Sequence, residues 1–366
     1  MTLKKIKVIL SGGGTGGHIF PAVAIANALK ALDNDIEFLF VGAKGRMEME
    51  KVPAAGYKIE GLWISGLQRR LTLDNLSFPF KVISSIMRSK KIIRSFKPNV
   101  VVGTGGFASG PLLRTATGMK IPALIQEQNS FPGITNKLLA KRVSKICVAY
   151  EGMEKYFPKE KIIVTGNPVR QDILSLEGKR NEAINFFGLN PEKKTLLVIG
   201  GSLGARTINE SIMASLELLA QNNIQIIWQT GKGYISTAEK VFTKEKGWVG
   251  AFISKMDMAY SAADIVVSRA GAISLSELAI VKKPCILVPS PNVAEDHQTK
   301  NAMSLVKKDA ALFVKDSEAK EKLGKEIISL MNDVQTQNKL SANISKLAFP
   351  NSAEVIAKEV IKLVSK

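Results

Sequence analysis

The sequence predicts an α/β protein made of two Rossmann-like, doubly wound domains. Three observations carry that expectation. At 366 residues the chain is about twice what one hydrophobic core usually supports. Short apolar, β-branched runs alternate with longer stretches of helical period, the pattern of strands buried on both faces and covered by helices. Each half also opens alike, with a strand, a glycine turn and a helix: VILSGGGTGGHIFPAVAIANAL and LLVIGGSLGARTINESIMASL.

Taken in order, the apolar runs predict strands at 6–10, 36–41, 100–102, 123–125, 145–148 and 162–165 in the first half. In the second half they predict strands at 195–199, 224–229, 250–253, 264–268, 285–288 and 311–314. The boundary is expected near Gly166-Asn167-Pro168 or in the charged stretch 175–194, where Pro, Gly and charge cluster, giving domains 1–166 and 167–349. A last helix, within 350–366, follows Pro350 and is able to return to the first domain. A ligand is then expected in a central cleft, between two sheets whose carboxyl edges face one another.

Composition narrows the class. Hydrophobic residues at 45% and charged residues at 23% exclude a disordered or low-complexity chain. Cys147 and Cys285, both inside apolar runs, exclude a disulfide scaffold or a cysteine-based zinc site and suit a reducing compartment. The net charge of +19 is uneven. Residues 1–168 hold 25 basic and 11 acidic side chains, and residues 62–97 hold eight basic groups against one acid. Such a field points to phosphate or anionic-lipid partners. No apolar run approaches the roughly 20 residues needed to span a bilayer. The start MTLKKIKVILSGGG has no signal-peptide body. A cytoplasmic protein is expected, one that meets a membrane only at its surface.

Three loops carry chemistry. Gly12-Gly13-Gly14-Thr15-Gly16-Gly17-His18 contains a literal G-x-G-x-x-G between a strand and a helix. The acid that a dinucleotide site needs at the end of the second strand is missing, since FVGAKGR puts Lys and Arg there and the first acid is Glu48. What remains is a backbone nest at a helix start, able to approach a phosphate or a sugar. The second loop, Gly200-Gly201-Ser202-Leu203-Gly204-Ala205-Arg206, adds a hydroxyl and a guanidinium, which suits a diphosphate without a metal. In the third, 268–277, small residues let the chain pass close to a ligand, and Glu277 can accept from a vicinal diol such as a ribose. A carboxylate in a first helical turn is also favourable to the helix dipole alone.

These segments, with VVVGTGGFASGP, IQEQNSFPG, VTGNPVR, SRAGAISLSELA and EDHQTKNA in this order, resemble the MurG family over essentially the whole chain. The resemblance implies a GT-B glycosyltransferase fold, with the acceptor site on the first domain and the donor nucleotide mainly on the second. It implies transfer of N-acetylglucosamine from UDP-N-acetylglucosamine (UDP-GlcNAc) to undecaprenyl-diphospho-N-acetylmuramoyl-pentapeptide (lipid I), making lipid II. By the same resemblance Thr15, Gly16, Gly17, Asn129 and Arg170 face the transferred sugar, and Ser202 meets the diphosphate. Ile253 holds the uracil through its backbone, Gln298 reaches the sugar hydroxyls, and Ala272, Ile273, Ser274, Leu275, Ser276 and Glu277 embrace diphosphate and ribose. The tyrosine expected in the acceptor glycine loop is Phe107 here, which leaves that position to packing.

An α-linked donor giving a β-linked product means inversion by one in-line displacement. That reaction needs a base and a stabilised leaving group. His18, at the first turn of a helix whose amino terminus favours the neutral imidazole, is the expected base. Glu127 in QEQN is its rival or partner, a carboxylate equally able to orient its loop. No cofactor is expected. No metal is demanded either, because Asp33-Asn34-Asp35 precedes a strand and so lies at the wrong end of a parallel sheet.

Residues 71–94 mix Leu76, Phe78, Phe80, Ile83, Ile86 and Met87 with Lys81, Arg88, Lys90, Lys91 and Arg94. An apolar face bordered by cations docks on an anionic bilayer without spanning it. The expected location is therefore the cytoplasmic side of the cell membrane, as a peripheral protein, with other cell-wall synthesis proteins as further partners. Nucleic acid is not expected, since no aromatic-interleaved basic platform is present. The rivals are a UDP-GlcNAc 2-epimerase or diacylglycerol glycosyltransferase of the same fold, and a non-catalytic nucleotide-sugar binding module.

Overall fold

A computed structural model describes residues 5–66, 77–201, 203–293 and 296–365. Contacts divide the chain into two compact units, Met1–Val169 with Asn351–Lys366, and Arg170–Pro350.

In the first unit the strands are β1 (Lys7–Gly12), β2 (Glu37–Ala43), β3 (Ile59–Leu62), β4 (Val100–Gly105), β5 (Ala123–Glu127), β6 (Lys145–Val148) and β7 (Ile162–Val164). They form one sheet in the order β3-β2-β1-β4-β5-β6-β7, with every pairing parallel. The helices are α1 (Gly16–Leu32), α2 (Glu48–Ala54), α3 (Phe78–Phe96), α4 (Ser109–Gly118) and α5 (Ile134–Leu139). Alternation along β1 explains its unbroken apolar run. Ile9 joins a core with Ile92 and Ile93 of α3, Leu112 and Leu113 of α4 and Leu139 of α5. Val8 and Leu10 join the opposite core with Ile19, Ile25 and Leu29 of α1. A strand covered on both faces has no polar position to spare.

The helix Ser352–Val364 closes that second face, placing Ile356, Ala357 and Val360 in the core with α1. The segment from Arg170 to Pro350 is thus a separate unit between two parts of the first. β3 has no counterpart among the expected strands: IEGL interrupts its apolar residues with Glu60 and Gly61 and occupies a half-buried sheet edge.

The second unit repeats the design with β8 (Lys194–Ile199), β9 (Ile224–Gln229), β10 (Gly247–Gly250), β11 (Ile265–Ser268), β12 (Cys285–Leu287) and β13 (Leu312–Phe313), ordered β10-β9-β8-β11-β12-β13. Its helices are α6 (Arg180–Phe187), α7 (Arg206–Gln221), α8 (Ile235–Ala238), α9 (Met256–Ala262), α10 (Ala272–Val281), α11 (His297–Val306), α12 (Ala319–Asn332) and α13 (Val334–Ser345). Leu196, Val198, Trp228 and Val267 meet Ile208 and Ile212 of α7 and Leu323 and Ile327 of α12 in one core. The strand expected at 250–253 is displaced. Pairing with β9 is made by GWVG at 247–250, and the more apolar AFI leaves the ladder as a loop.

Both cysteines are buried, and burial pushes each thiol up to about 12. Asp33 and Asp35 form a turn before β2, where the Asp35 amide donates to Asp33 Oδ1 at 2.9 Å.

Candidate functional site

In each sheet the strand order reverses between the first strand and its neighbour, β1 against β4 and β8 against β11. The crevice outside the carboxyl ends of such strands is where α/β sheets bind ligands. Both glycine loops lie there, one after β1 and one after β8.

In the first unit, two glycine loops interlock. The Gly13 amide donates to the Gly105 carbonyl at 3.4 Å. A side chain at Gly106, where φ is +88°, would strike the Gly13 carbonyl oxygen at 2.3 Å. Thr104 fastens the helix start, its hydroxyl donating to the His18 carbonyl at 2.7 Å. Glu48 lies beneath the loop, wholly buried, accepting from the Gly14 amide through Oε2 and from the Ala43 amide through Oε1, each at 2.9 Å. The acid absent from the dinucleotide pattern therefore holds the loop itself. Its sequence signal was the first carboxylate after β2, five residues beyond the strand's end.

His18 is half-buried, with Nδ1 at 3.1 Å from the Gly13 carbonyl oxygen and 3.3 Å from Thr15 Oγ1. Thr15 and Gly17 are exposed and Gly16 is half-buried, at the open end of α1. Pro21 has no N–H, so the Gly17 carbonyl lacks its usual donor four residues on. Phe107 packs over Gly14, where an added Cβ would lie 3.8 Å from its ring, and against Gly66.

Glu127 is buried and takes four donors. Asn129 gives its amide N–H at 3.0 Å and its side-chain N–H at 3.2 Å to Oε1, while the Gly133 amide at 3.1 Å and Asn136 Nδ2 at 2.8 Å reach Oε2. Around it Gln126 Nε2 donates to Asn167 Oδ1 at 2.9 Å, and Gln128 Nε2 to the Thr104 carbonyl at 2.8 Å. Asn167 Nδ2 returns to the Gln128 carbonyl at 3.0 Å. This buried amide net ties the QEQN loop to the end of β4 and to Gly166-Asn167-Pro168. Composition gave no sign of it, because Gln and Asn in a loop read as solvent-facing.

In the second unit Gln229 holds Gly201, its Nε2 donating to the Gly201 carbonyl and its Oε1 accepting from the Ile253 amide, each at 2.9 Å. A polar residue closing the apolar strand IQIIWQ was the available signal. Gly231, at φ +82°, brings its backbone against Leu203, where a Cβ would meet the Leu203 oxygen at 2.2 Å. Arg206 is exposed and bonds Glu210 at 2.7 Å.

α10 starts at Ala272 after an extended Gly271, so the amides of its first turn have no intrahelical acceptor. Ile273, Ser274 and Ser276 are half-buried and Ala272 and Leu275 are buried. Glu277 is buried between Arg170, whose Nε donates to Oε1 at 3.1 Å, and Tyr260, whose hydroxyl donates to Oε2 at 3.0 Å. Burial pushes the Glu277 carboxyl above its ordinary value, against the pull of Arg170 and the Tyr260 hydrogen bond. Burial also pushes the Tyr260 hydroxyl well up, and the neighbouring carboxylate adds to that. Arg269, in the same loop, is spent on structure, bonding the Val288 carbonyl at 2.9 Å and the Asp316 carboxylate. Gln298 Oε1 accepts from the Ser290 amide at 2.9 Å. Ser202 and Leu76 lie outside the described residues.

On α3 the apolar side chains are turned outward. Phe80 is 69% exposed, Ile83 56% and Met87 63%, with Lys90, Lys91 and Arg94 exposed on the same side, while Ser85, Ser89, Ile92 and Ile93 face inward. Phe78 and Ile86 are half-buried. Met87, Lys90, Lys91 and Arg94 line an open cavity of about 430 Å³. Among the described residues no helix is long and apolar enough to cross a membrane.

Comparison with known proteins supplies the family. Residues 8–148 match the glycosyltransferase family 28 N-terminal domain and residues 195–359 its C-terminal domain. The UDP-N-acetylglucosamine–N-acetylmuramyl-(pentapeptide) pyrophosphoryl-undecaprenol N-acetylglucosamine transferase of Flavobacterium psychrophilum is 56% identical over 99% of both chains. That of Parabacteroides distasonis is 55% identical over the full length of both. The crystal structure of Acinetobacter baumannii MurG superposes with a TM-score of 0.77 at 25% identity, covering 98% of this chain and 100% of that one. Two sheets with glycine loops at their switch points, matched from end to end by these relatives, place the chain in glycosyltransferase family 28, among the MurG transferases.

Proposed function

We infer that this protein is an inverting N-acetylglucosaminyltransferase, moving N-acetylglucosamine from UDP-GlcNAc to the 4-hydroxyl of the muramoyl sugar in lipid I to give lipid II for peptidoglycan. The observation that carries this reading is 56% identity to a transferase of that name across 99% of both chains.

The residue roles combine what the family resemblance implies with the geometry of each side chain. The acceptor hydroxyl loses its proton to His18 Nε2 as its oxygen bonds to C1 of the donor sugar, and the bond from C1 to the diphosphate oxygen breaks with the electron pair leaving on UDP. Amides at the start of α10, the loop 200–204 and Ser202 receive the diphosphate charge. Glu277 accepts from the ribose hydroxyls, since two of its roughly four lone-pair positions are taken by Arg170 and Tyr260. Arg170 therefore acts on the donor mainly through Glu277. The Ile253 amide is engaged by Gln229, which leaves the Ile253 carbonyl to read an N–H of the uracil. Gln298, with Oε1 on Ser290, offers Nε2 to a sugar hydroxyl. Glu127, with both oxygens occupied by four N–H groups, orients the Asn129 loop toward the sugar and does not take the proton.

The outward apolar face of α3 and its cations dock the first unit on an anionic bilayer, on the cytoplasmic side, where the lipid acceptor's tail stays in the membrane. Phe80, Ile83 and Met87 facing water form an apolar patch on the outer side of α3, and a bilayer removes the cost of exposing it.

UDP release measured with a short-chain lipid I analogue tests the activity. Release is expected only when the acceptor is present. Release without acceptor, or none at all under either condition, overturns the assignment, and full turnover by His18→Ala overturns the base.

A further inference from the structure

We propose that Glu48 is a positioning residue for the transfer reaction, acting on His18 through the single peptide group that joins Gly13 to Gly14. This rests on the reading of His18 as the base. Glu48 Oε2 accepts from the Gly14 N–H at 2.9 Å, and the Gly13 carbonyl oxygen of that same peptide faces His18 Nδ1 at 3.1 Å. Among the described residues no peptide bond is cis, so this N–H and C=O lie in one plane and point in opposite directions. The carboxylate grips one side and the imidazole the other.

Two consequences follow from elementary chemistry. A carbonyl oxygen only accepts, so its contact with Nδ1 is a hydrogen bond only when Nδ1 carries the proton. Thr15 Oγ1, at 3.3 Å from Nδ1, can accept as well as donate and is satisfied by either tautomer, but the Gly13 carbonyl meets a lone pair in the other one. The loop thereby selects the tautomer with its lone pair on Nε2, the nitrogen a base must present. Second, a carboxylate on the N–H polarises the peptide and strengthens the carbonyl at its far end, since chained hydrogen bonds reinforce one another. When the imidazole becomes imidazolium, the buried negative charge stabilises it through the peptide dipole. A carboxylate bonded directly to an imidazole does the same in a hydrolase triad; here one peptide intervenes.

The site is built for this and for little else. Glu48 is wholly buried, its second oxygen is fixed by the Ala43 amide at 2.9 Å, and a Cβ on Gly13 would come within 2.2 Å of Glu48 Oε1. Only glycine lets the carboxylate sit so close behind the loop. With a carboxylate already on the Gly14 amide, that amide is closed to a phosphate oxygen, which sets this loop apart from a dinucleotide-binding turn of the same sequence pattern.

The test is nitrogen NMR on protein labelled at its histidines, of which there are two, His18 and His297, separated by a His297→Gln variant. Wild type is expected to show His18 as the Nδ1–H tautomer and a strongly downfield Gly14 amide proton. Glu48→Gln keeps the shape but loses one acceptor and the charge. It is expected to mix the tautomers and lower kcat by roughly ten- to a hundredfold, the range of one charge-assisted hydrogen bond, with KM for the donor within about twofold of wild type. An Nε2–H tautomer in wild type overturns the proposal, as does a folded Glu48→Gln with wild-type tautomer and kcat. Should Glu48→Gln not fold, the wild-type tautomer and the Gly14 shift decide. Full turnover by His18→Ala would remove the base assignment and leave the tautomer measurement standing, so the two failures are distinguishable.

Discussion

Arg170 donates from Nε to Glu277 at 3.1 Å, a contact that joins the first residue of the second unit to the first turns of α10. The guanidinium is 34% exposed and the carboxylate 9%. Arg170→Met leaves the carboxylate buried with Tyr260 alone. The expected loss of stability is about 2 kcal/mol, below the roughly 3–5 of a fully buried pair because water reaches the guanidinium. Thermal unfolding measures that loss, and KM for UDP-GlcNAc is expected to rise with kcat less affected.

The same carboxyl sets a pH dependence. Glu277 is pushed above its ordinary 4.5 by burial, with Arg170 and Tyr260 opposing. Protonation removes the charge and turns one acceptor oxygen into a donor, which weakens its hold on a ribose, so KM for the donor is expected to rise as pH falls through the raised value, and Glu277→Gln should show a high KM without that limb. For stability the sign is opposite to that of an ordinary ion-paired carboxylate. The folded state holds this proton more tightly than the unfolded chain, so the group favours folding at low pH and subtracts from stability as pH rises from 4.5 through the folded value. Tm of wild type relative to Glu277→Gln should fall across that window.

Gly231→Ala probes the donor loop through its backbone. The alanine would carry φ of +82° and a Cβ at 2.2 Å from the Leu203 oxygen. A destabilisation of about 1–3 kcal/mol is expected, together with weaker UDP binding by calorimetry, because relief of the clash moves the loop at 200–204. Wild-type affinity in this variant would separate that loop from the diphosphate.

For α3, charge reversal at Lys90 and Lys91 is expected to lower sedimentation with anionic vesicles by roughly tenfold or more, at about 1 kcal/mol per cation, with little change in Tm since both are exposed. Phe80→Ser with Ile83→Ser should weaken binding to neutral vesicles as well. Vesicle binding equal to wild type in both variants would remove the membrane role of this helix.

The thiols of Cys147 and Cys285, pushed up to about 12 by burial, are expected to resist alkylation at pH 8 in the folded protein and to react fully in denaturant.

Much of the architecture was legible in the chain because a strand covered on both faces has to be apolar throughout. β1, β5, β6, β8 and β9 announce themselves in this way. β3 and β10 do not, since at sheet edges Glu60 and Gly61, or Gly247 and Gly250, are tolerated and the apolar signal thins. Among site residues, the two glycine loops were visible because close approach at Gly12, Gly13, Gly200 and Gly204, or a positive φ at Gly14 and Gly201, disfavours any Cβ. Gln229 and the net of Gln126, Gln128 and Asn167 were not, because an amide side chain gives no sign in sequence of whether it faces water or a partner.

By itself the sequence determined the two-sheet design, the position of both glycine loops, the histidine at the start of α1 and the basic, apolar stretch that became α3. Those follow from local rules: periodicity, the absence of a side chain at glycine, and the spacing of charge. Only the tertiary structure decided what the buried carboxylates do. Glu48, Glu127 and Glu277 are the same residue type, each buried beside a loop that the sequence singles out. One ends beneath a glycine turn, one saturated by its own loop, and one shared between an arginine and a tyrosine. Partners set those fates, from within its own loop for Glu127 and from distant parts of the chain for Glu48 and Glu277, because a charge buried away from water takes its role from whichever donors surround it.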